Sequence, residues 1–407
     1  MKYVNSLKYM NGFATAEKPT DISLRRAAEL CNLLGRVHIG NKIIYLPAGS
    51  IGYATAVMLE SVIKQAGYRV GRITSSFGAD SRSAVYIGGE RASIDDYNRA
   101  VAEIKAAVSG SPEQSFCKEE AIFAMSLLIC KMNSCDYVIL QGMSDEKSGL
   151  ASLCAPYDLV IAPTVCGQDG SVKPLCDAIR RDAREVISGN QRKSVYDLIT
   201  AACFSCGARL TFTSKSSFDT EALSSIERVF SYGGRSGYRV KSPSDAIAEC
   251  AMLTIESALA IRRRGVKLPW TSISAGLASA VGMCCFETVS ASPLILLDSS
   301  ENEGELELLL STLDSVFGEK ELTGMAICIP AQAENLAARL ERYQMSSIIV
   351  VGEKASAENS ECRIFSNNAR DAARLIVQNM KRGIDTVCFG SVAFTCEIKG
   401  EISRLLN

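Results

Sequence analysis

The segment with the clearest chemical signature spans residues 42–55, where an apolar run leads into a turn of glycine and serine and then into a helical pattern. A strand, a glycine-containing turn and a helix in this order are the layout of a phosphate-binding loop. In such a loop, backbone N–H groups cradle phosphate, a lysine reaches the β- and γ-phosphates, and a Ser/Thr hydroxyl binds magnesium. Gly49, Ser50 and Gly52 could form a weak anion cradle at the helix N-terminus. Because no lysine lies within the turn, a plain strand–turn–helix connection is the alternative.

Histidine and cysteine offer little further catalytic potential. His38 is the only histidine, so neither a nucleophile–histidine pair nor a structural zinc site is expected. Cys203 and Cys206 form the only C-x-x-C motif, near the end of a predicted helix rather than at its N-terminus, where a thiol pKa would be lowered. We therefore predict that these two thiols are packed in the core. The adjacent Cys284 and Cys285 either line a ligand site or pack in the same way.

Size and composition are those of an ordinary globular protein. A chain of 407 residues favours two domains, and 47% hydrophobic with 22% charged residues is a typical balance. With 44 basic and 45 acidic residues, binding to nucleic acid or to an anionic membrane is not expected. The 16 cysteines lack regular spacing, as buried thiols of a reducing compartment do. With neither a signal-peptide pattern nor a membrane-length apolar stretch, we expect a cytoplasmic protein.

Apolar runs alternate with helical patterns along most of the chain. The predicted strands of the first half are short, continuous and apolar, which favours a parallel sheet with helices on both faces. A second alternation follows a predicted linker at residues 288–292. The predicted strands span residues 42–47, 68–74, 136–141, 158–163, 209–213, 294–298, 324–329, 347–351 and 386–389. The predicted helices span residues 55–66, 94–108, 119–132, 176–187, 194–206, 244–264, 273–281, 303–317, 331–343, 369–380 and 397–406.

The motifs of one enzyme family occur in collinear order along the whole chain. Residues 45–75 resemble the family's H-V-A-G-T-N-G-K-G-S loop, its following helix and its A-G-Y-x-V-G-x-x-T-S-P-H segment. Residues 86–97 resemble its I-N-G motif and acidic helix, and residues 136–140 its D-V-A-V-L-E strand. Residues 286–302 and 390–402 resemble its junction and tail motifs. The chain is thus similar to folylpolyglutamate and dihydrofolate synthases, of the Mur ligase superfamily.

This resemblance implies both a fold and a chemistry. The fold is a Mur-ligase-like α/β architecture. A central P-loop-type domain with a mostly parallel sheet occupies residues 1–287, and a smaller Rossmann-like C-terminal domain occupies residues 288–407. The family joins a carboxylate to an amine: ATP phosphorylates the carboxylate, and the amine attacks the acyl phosphate. That reaction needs a phosphate cradle and magnesium ions held by charged ligands.

Several of the charged positions that the resemblance assigns to this chemistry carry other residues here. Aligned without gaps, the loop lysine falls on Gly52, and the glycine before the loop's final serine falls on Tyr53. The Tyr53 side chain is expected to crowd the place where the backbone must approach phosphate. The strand-end glutamate becomes Gln141. A histidine falls near Gln168, and the family's carbamylated lysine near Ala183. We expect Gln141, Gln168 and Ala183 to surround an empty metal site.

Other positions of the family pattern are kept. Ser75 matches a magnesium ligand of the family, with a hydrogen-bonded turn at a strand end as the alternative. Asp298 and Asn302 keep the ends of a junction motif that contacts nucleotide in the family. Asp298 follows a predicted strand and faces the expected crevice, whereas Asn302 could equally cap the next helix.

The favoured interpretation is a diverged folylpolyglutamate-synthase-like protein without the family's ATP-dependent ligation. No catalytic residue and no cofactor are assigned. Such a protein could bind a small molecule in the cleft between its domains or act as the partner subunit of another protein. The alternative is an active ATP- and magnesium-dependent carboxylate–amine ligase that uses other residues. A purely structural interaction protein is a third hypothesis.

Overall fold

The chain forms two compact units in a computed structural model. Unit 1 comprises Met1–Phe218, Tyr232–Gly234 and Glu249–Ala280, and unit 2 comprises Asp219–Ser231, Arg235–Ala248 and Val281–Asn407. The predicted domain junction after residue 287 lies shortly beyond Val281. The structure describes residues 2–16, 22–75, 80–111, 115–142, 149–165, 172–224, 226–300, 303–317, 324–328, 347–351, 363–366 and 368–406.

Unit 1 is built on an eight-stranded sheet in the order β4-β3-β2-β5-β1-β6-β7-β8. Its strands are β1 (Ile43–Leu46), β2 (Val70–Thr74), β3 (Val85–Ile87), β4 (Glu90–Arg91), β5 (Tyr137–Gln141), β6 (Leu159–Ala162), β7 (Glu185–Ser188) and β8 (Arg209–Phe212). All are parallel except β3 and β4, which pair antiparallel at one end of the sheet. This confirms the mostly parallel sheet, and it brings the carboxyl ends of the parallel strands to one edge.

Helices α1 to α9 accompany this sheet, and their starts follow local capping rules. The Ser23 and Ser93 side chains accept hydrogen bonds from backbone N–H groups in the first turns of α2 and α4. The helices are α1 (Tyr3–Asn11), α2 (Leu24–Leu33), α3 (Ser50–Gln65), α4 (Ile94–Gly110), α5 (Lys118–Met132), α6 (Val172–Arg180), α7 (Lys193–Cys206), α8 (Asp245–Arg263) and α9 (Trp270–Ser279). No helix in the described part of the chain has both the length and the apolar composition that crossing a bilayer requires.

Unit 2 contains a six-stranded sheet in the order β12-β13-β17-β14-β15-β16. Only its end strand β12 pairs antiparallel. The strands are β12 (Glu287–Ala291), β13 (Leu294–Asp298), β14 (Gly324–Cys328), β15 (Ser347–Val351), β16 (Arg363–Ser366) and β17 (Thr386–Gly390), with helices Glu303–Phe317, Ala369–Lys381 and Val392–Leu406. A separate three-stranded sheet in the order β11-β10-β9 joins β9 (Phe218–Leu223), β10 (Arg228–Tyr232) and β11 (Arg235–Val240).

The structure corrects two predicted elements. The helix predicted over 176–187 ends at Arg180, because Asp182 takes a left-handed conformation with φ 67° and the chain re-enters the sheet as β7. The predicted linker 288–292 is largely strand β12, paired with β13. The helix predicted over 331–343 lies outside the described residues.

Candidate functional site

The carboxyl ends of three neighbouring strands bring Ser75, Gln141 and the loop after β1 together. Leu46 at the end of β1 and Thr74 at the end of β2 both pair in register with Gln141 at the end of β5. Beyond the strands, the Ser75 N–H donates to the Gln141 carbonyl over 3.0 Å, and the Gly142 N–H donates to the Leu46 carbonyl over 2.9 Å. Ligands of open α/β sheets bind at this edge, so we define the candidate site here.

The loop after β1 is a short turn. β1 ends at Leu46 and α3 begins at Ser50, which leaves only Pro47, Ala48 and Gly49 between them. Gly49 has φ 111°, which residues with a side chain rarely adopt, and its carbonyl accepts the Tyr53 N–H over 2.9 Å. The structure therefore contains the predicted strand–turn–helix layout.

The position aligned with the loop lysine has no room for a side chain. Gly52 lies in the first turn of α3, and a Cβ there would lie only 2.4 Å from the Pro47 carbonyl oxygen. The same turn is covered by protein, since Ser50 and Ile51 are 5% and 6% exposed and the Cys250 thiol of α8 lies 3.5 Å from the Ile51 carbonyl. Gly49, Ser50 and Gly52 therefore form a close helix–strand contact.

Tyr53 packs against the sheet beside a buried ion pair. Its ring centroid lies 5.0 Å from the guanidinium carbon of Arg72 on β2. Arg72 forms a 2.7 Å salt bridge with Glu60 of α3, and both side chains are at most 3% exposed. Burial alone would lower the pKa of Arg72, but the Glu60 carboxylate raises it above its usual value, so the pair stays ionised. The Tyr53 ring thus belongs to the interface between α3 and β2.

Gln141 is fixed by two hydrogen bonds, one of which a carboxylate could not make. The fully buried amide accepts from the Thr74 hydroxyl over 2.6 Å and donates from Nε2 to the Pro47 carbonyl at 3.4 Å. An ionised glutamate has no donor for that carbonyl. Beside it, a Cβ on Gly142 would lie 1.9 Å from the Ser75 hydroxyl oxygen. Position 142 therefore has no room for a side chain. Gln141 and Ser75 therefore join the loop to β2 and β5.

Glu249 of α8 lies further along the same edge. The family resemblance places it on an H-Q-x-x-N segment of which none of the three residues is kept, so it was not predicted as a site residue. Its Oε1 accepts the backbone N–H of Thr164, which follows β6, over 2.7 Å. A Cβ on Gly189, which follows β7, would lie 2.6 Å from that oxygen. Burial raises the pKa of Glu249, while the Thr164 hydrogen bonds and the charge of Lys215 lower it. Its isolation within the apolar sequence Ala-Glu-Cys-Ala-Met was the available signal.

Asp298 in unit 2 holds its own loops in place. Its Oδ2 accepts the Phe286 N–H over 2.7 Å, and its Oδ1 accepts both the N–H and the hydroxyl of Ser300. Phe286 has φ 43°, a conformation that this hydrogen bond helps to stabilise. Burial raises the Asp298 pKa to about 6, against the lowering effect of these donors. Asn302 lies outside the described residues.

The cysteine pairs of the sequence are packed. Cys203 is buried at the end of α7, which stops at Gly207 with φ 70°, and burial raises its pKa to about 12. Cys284 and Cys285 are both buried. The Cys284 sulfur lies 3.2 Å from that of Cys396, and the pKa of the Cys284 thiol is raised by its hydrogen bond with Cys396 and by burial. The Cys203 and Cys284 thiols are therefore in their unreactive, protonated form.

No protein-family model matches this chain, and no curated protein matches it. Several solved structures do match this chain. A complex of folylpolyglutamate synthase with AMPPCP and folate has a TM-score of 0.81 and 17% identity, with 100% of both chains covered. The Mycobacterium tuberculosis enzyme with ADP and AMPPCP has a TM-score of 0.79 and 18% identity, over 99% of this chain and 98% of that one. The Lactobacillus casei enzyme has a TM-score of 0.77 and 17% identity, over 100% of both.

The fold is that of folylpolyglutamate synthase. The match covers both chains in full and so includes both α/β units. It confirms the Mur-ligase-like fold class. At identities of 17–18% the likeness is one of fold, so the chemistry of the chain has to be argued from its own side chains.

At this sheet edge, two described positions that the family resemblance assigns to magnesium–nucleotide binding carry other residues. Gly52 excludes a lysine, and Gln141 presents an amide. Ala183 was predicted near the metal, but it precedes β7 and lies at the amino edge of the sheet, opposite Gln141. Gln168 lies outside the described residues. Within the described ranges, no three His, Cys, Asp or Glu side chains are grouped so as to hold a metal ion.

Proposed function

We propose that this chain is a diverged protein of the folylpolyglutamate synthase fold that does not carry out ATP-dependent amide ligation and instead binds a small molecule or a protein partner. The observation that carries the proposal is the close contact between Gly52 and Pro47. A Cβ at position 52 would lie 2.4 Å from the Pro47 carbonyl oxygen. A lysine side chain there would require the strand and the helix to separate. The first turn of α3 is thus in packing contact with the end of β1.

The proposal is supported by how much charged groups contribute to the rate of phosphoryl transfer. Phosphoryl transfer depends almost entirely on positioning and on charged groups that neutralise the transferring phosphate. Loss of a single charged contact of this kind lowers the rate by roughly 10²–10⁵. Gln141 adds a second loss, because its amide carries no charge to hold magnesium.

The second candidate function is an ATP-dependent carboxylate–amine ligase that uses different residues. Glu249 favours it, as a half-buried carboxylate at the same sheet edge with a raised pKa. Its Oε1 is held by the Thr164 N–H, and a metal ion or an amine substrate would have to bind the other oxygen.

A glutamate-incorporation assay separates the two candidates. The purified chain is incubated with ATP, magnesium, labelled glutamate and either folate or dihydropteroate, with an active folylpolyglutamate synthase as the positive control. The proposal predicts no labelled product and no ATP hydrolysis above the background without protein. Turnover that is lost in a Glu249→Gln variant would establish the second candidate and refute the first.

The binding part of the proposal is tested by thermal unfolding with folates, nucleotides and other small molecules. A ligand at about 100 times its Kd stabilises the folded state by about 2.7 kcal/mol. Stabilisation by a compound without phosphate groups supports the proposed small-molecule site. Magnesium-dependent stabilisation by ATP contradicts the proposal.

A further inference from the structure

A cavity of about 220 Å³ lies at the amino edge of the sheet in unit 1, opposite the candidate site. Its walls come from the residues that lead into β1, β5, β6 and β7 and from the end of α8. This is room for several water molecules and thus for a small metabolite.

The charged groups around this amino-edge cavity are out of balance. Lys42, Arg184 and Arg264 line it together with a single carboxylate, that of Asp158. Asp158 Oδ1 accepts from Arg184 over 3.2 Å and from Arg264 over 2.9 Å. Lys42 instead places its ammonium group 5.2 Å from the centroid of the Tyr137 ring, and no carboxylate of the described residues is within salt-bridge distance of it. The cavity therefore has two positive charges in excess.

The remaining lining is apolar and aromatic. Ile44, Leu159 and Ile261 are buried aliphatic side chains of the lining. Tyr137 is 4% exposed, and burial raises its pKa to about 12, so the ring carries no charge that would repel an anion at neutral pH. The cationic side chains thus suit an anionic group of a ligand, and the apolar lining suits an apolar body of the same ligand.

We propose that this cavity binds a small organic carboxylate with an aromatic or aliphatic body. The carboxylate meets Lys42 and the guanidinium groups of Arg184 and Arg264, whose planar donors match carboxylate geometry. The body lies against Leu159 and Ile261. This site is independent of the proposed function, because none of its residues belongs to the carboxyl edge of the sheet.

A purely structural role explains only part of the cavity. Arg264 follows the C-terminal end of α8, where a cation stabilises the helix dipole, and it also fastens Asp158 to that helix. Lys42 has no such role, because it precedes β1 and has no carboxylate partner among the described residues. Lys42 is therefore the residue whose replacement separates ligand binding from structural support.

Calorimetric titration with benzoate tests the proposal. Benzamide serves as the neutral isostere and inorganic phosphate as the anion without an apolar body. We expect benzoate to bind, and benzamide and phosphate to bind at least tenfold more weakly. Equal affinity for benzoate and benzamide, or tighter binding of phosphate, would overturn the proposed ligand class. Absence of benzoate binding at 10 mM, roughly a hundredfold above a moderate Kd, would overturn the site.

Two variants locate the binding. Lys42→Met keeps the length of the side chain and removes its charge, and we expect it to weaken benzoate binding at least tenfold. Lys105→Met is the matched control, since the Lys105 ammonium also lies over a tyrosine ring, that of Tyr9 at 5.9 Å, in another part of unit 1. Val266→Phe keeps every charge and fills the cavity from its half-buried wall, so it should abolish binding. Unchanged affinity in both Lys42→Met and Val266→Phe would contradict the proposal, as would an equal loss in Lys105→Met.

Discussion

Replacing Gln141 by glutamate restores the residue that the family resemblance assigns to this strand end, and we expect the change to destabilise the protein. One glutamate oxygen can still accept from the Thr74 hydroxyl, now 2.6 Å from the amide oxygen. The other replaces the Nε2 donor that lies 3.4 Å from the Pro47 carbonyl. Two acceptors then face each other at a fully buried position, which no water molecule can relieve without opening the contact between loop and strand.

The size and pH dependence of the effect follow from this geometry. A buried acceptor without a donor costs about 1–3 kcal/mol, and more when it is charged. A folded-state pKa raised by about two units above the usual 4.3 of glutamate corresponds to about 3 kcal/mol at neutral pH. Protonation supplies an O–H that can donate to Pro47. The Gln141→Glu variant should therefore be nearly as stable as the wild type at pH 4 and lose stability as pH rises through the raised pKa.

Urea denaturation at pH 4, 6 and 8 measures this directly. Gln65→Glu is the control, because Gln65 is exposed and the hydrogen bond from its side chain to Ser279 is 3.4 Å long. We expect a change of less than about 0.5 kcal/mol there. Magnesium gives a second readout. The reasoning is refuted if Gln141→Glu is as stable as the wild type at pH 8, since the buried carboxylate would then cost nothing. It is also refuted if millimolar magnesium restores the stability, since a metal site that lacks only this glutamate would then be present.

Three further predictions follow from single contacts. Gly52→Ala should lower stability by about 1–3 kcal/mol through overpacking against Pro47, measured by thermal unfolding, whereas Gly110→Ala, with nothing within 4 Å of its new Cβ, should be neutral or stabilising by up to about 1 kcal/mol. Asp298 has a pKa of about 6 in the folded state against 3.8, so its ionisation should lower the free energy of unfolding by up to about 3 kcal/mol as pH rises from 4 to 6. In urea titrations, Asp298→Asn should lose this part of the pH dependence. An unchanged dependence of stability on pH would contradict the assignment. Glu249→Gln should leave the chain folded, because the amide oxygen can still accept the Thr164 N–H, and a Tm drop of more than about 8 °C would show that the charge itself is structural.

Much of the fold could be predicted because the sheet of unit 1 is buried on both faces. β1, β5 and β6 are continuous apolar runs, and their burial in the sheet is what that pattern predicts. β7 was missed because its four residues follow a helical pattern directly, and only the left-handed turn at Asp182 separates the two. Aspartate is enriched at positive φ, but most aspartates lie at negative φ, so Asp182 alone does not predict this turn.

The site was predictable only in outline. The order of strands along a parallel sheet brings Ser75, Gln141 and the Gly49 turn to one edge. The contact of Gly52 with Pro47 could not be foreseen, because it depends on how closely α3 approaches the end of β1. Ala183 was misplaced since the family spacing around it does not hold when α6 ends at Arg180. Glu249 was overlooked because its role depends on contacts with Thr164, which is 85 residues away in sequence.

Calorimetric titration of the full chain with ATP in the presence and absence of magnesium tests the central claim most directly. The contact at Gly52, the amide of Gln141 and the buried first turn of α3 predict no magnesium-dependent binding up to 5 mM ATP, a concentration at which even a weak site with a Kd of about 1 mM would be mostly occupied. Magnesium-dependent binding of ATP that is lost in a Ser75→Ala variant would show that the carboxyl edge is a working nucleotide site, and would contradict the account.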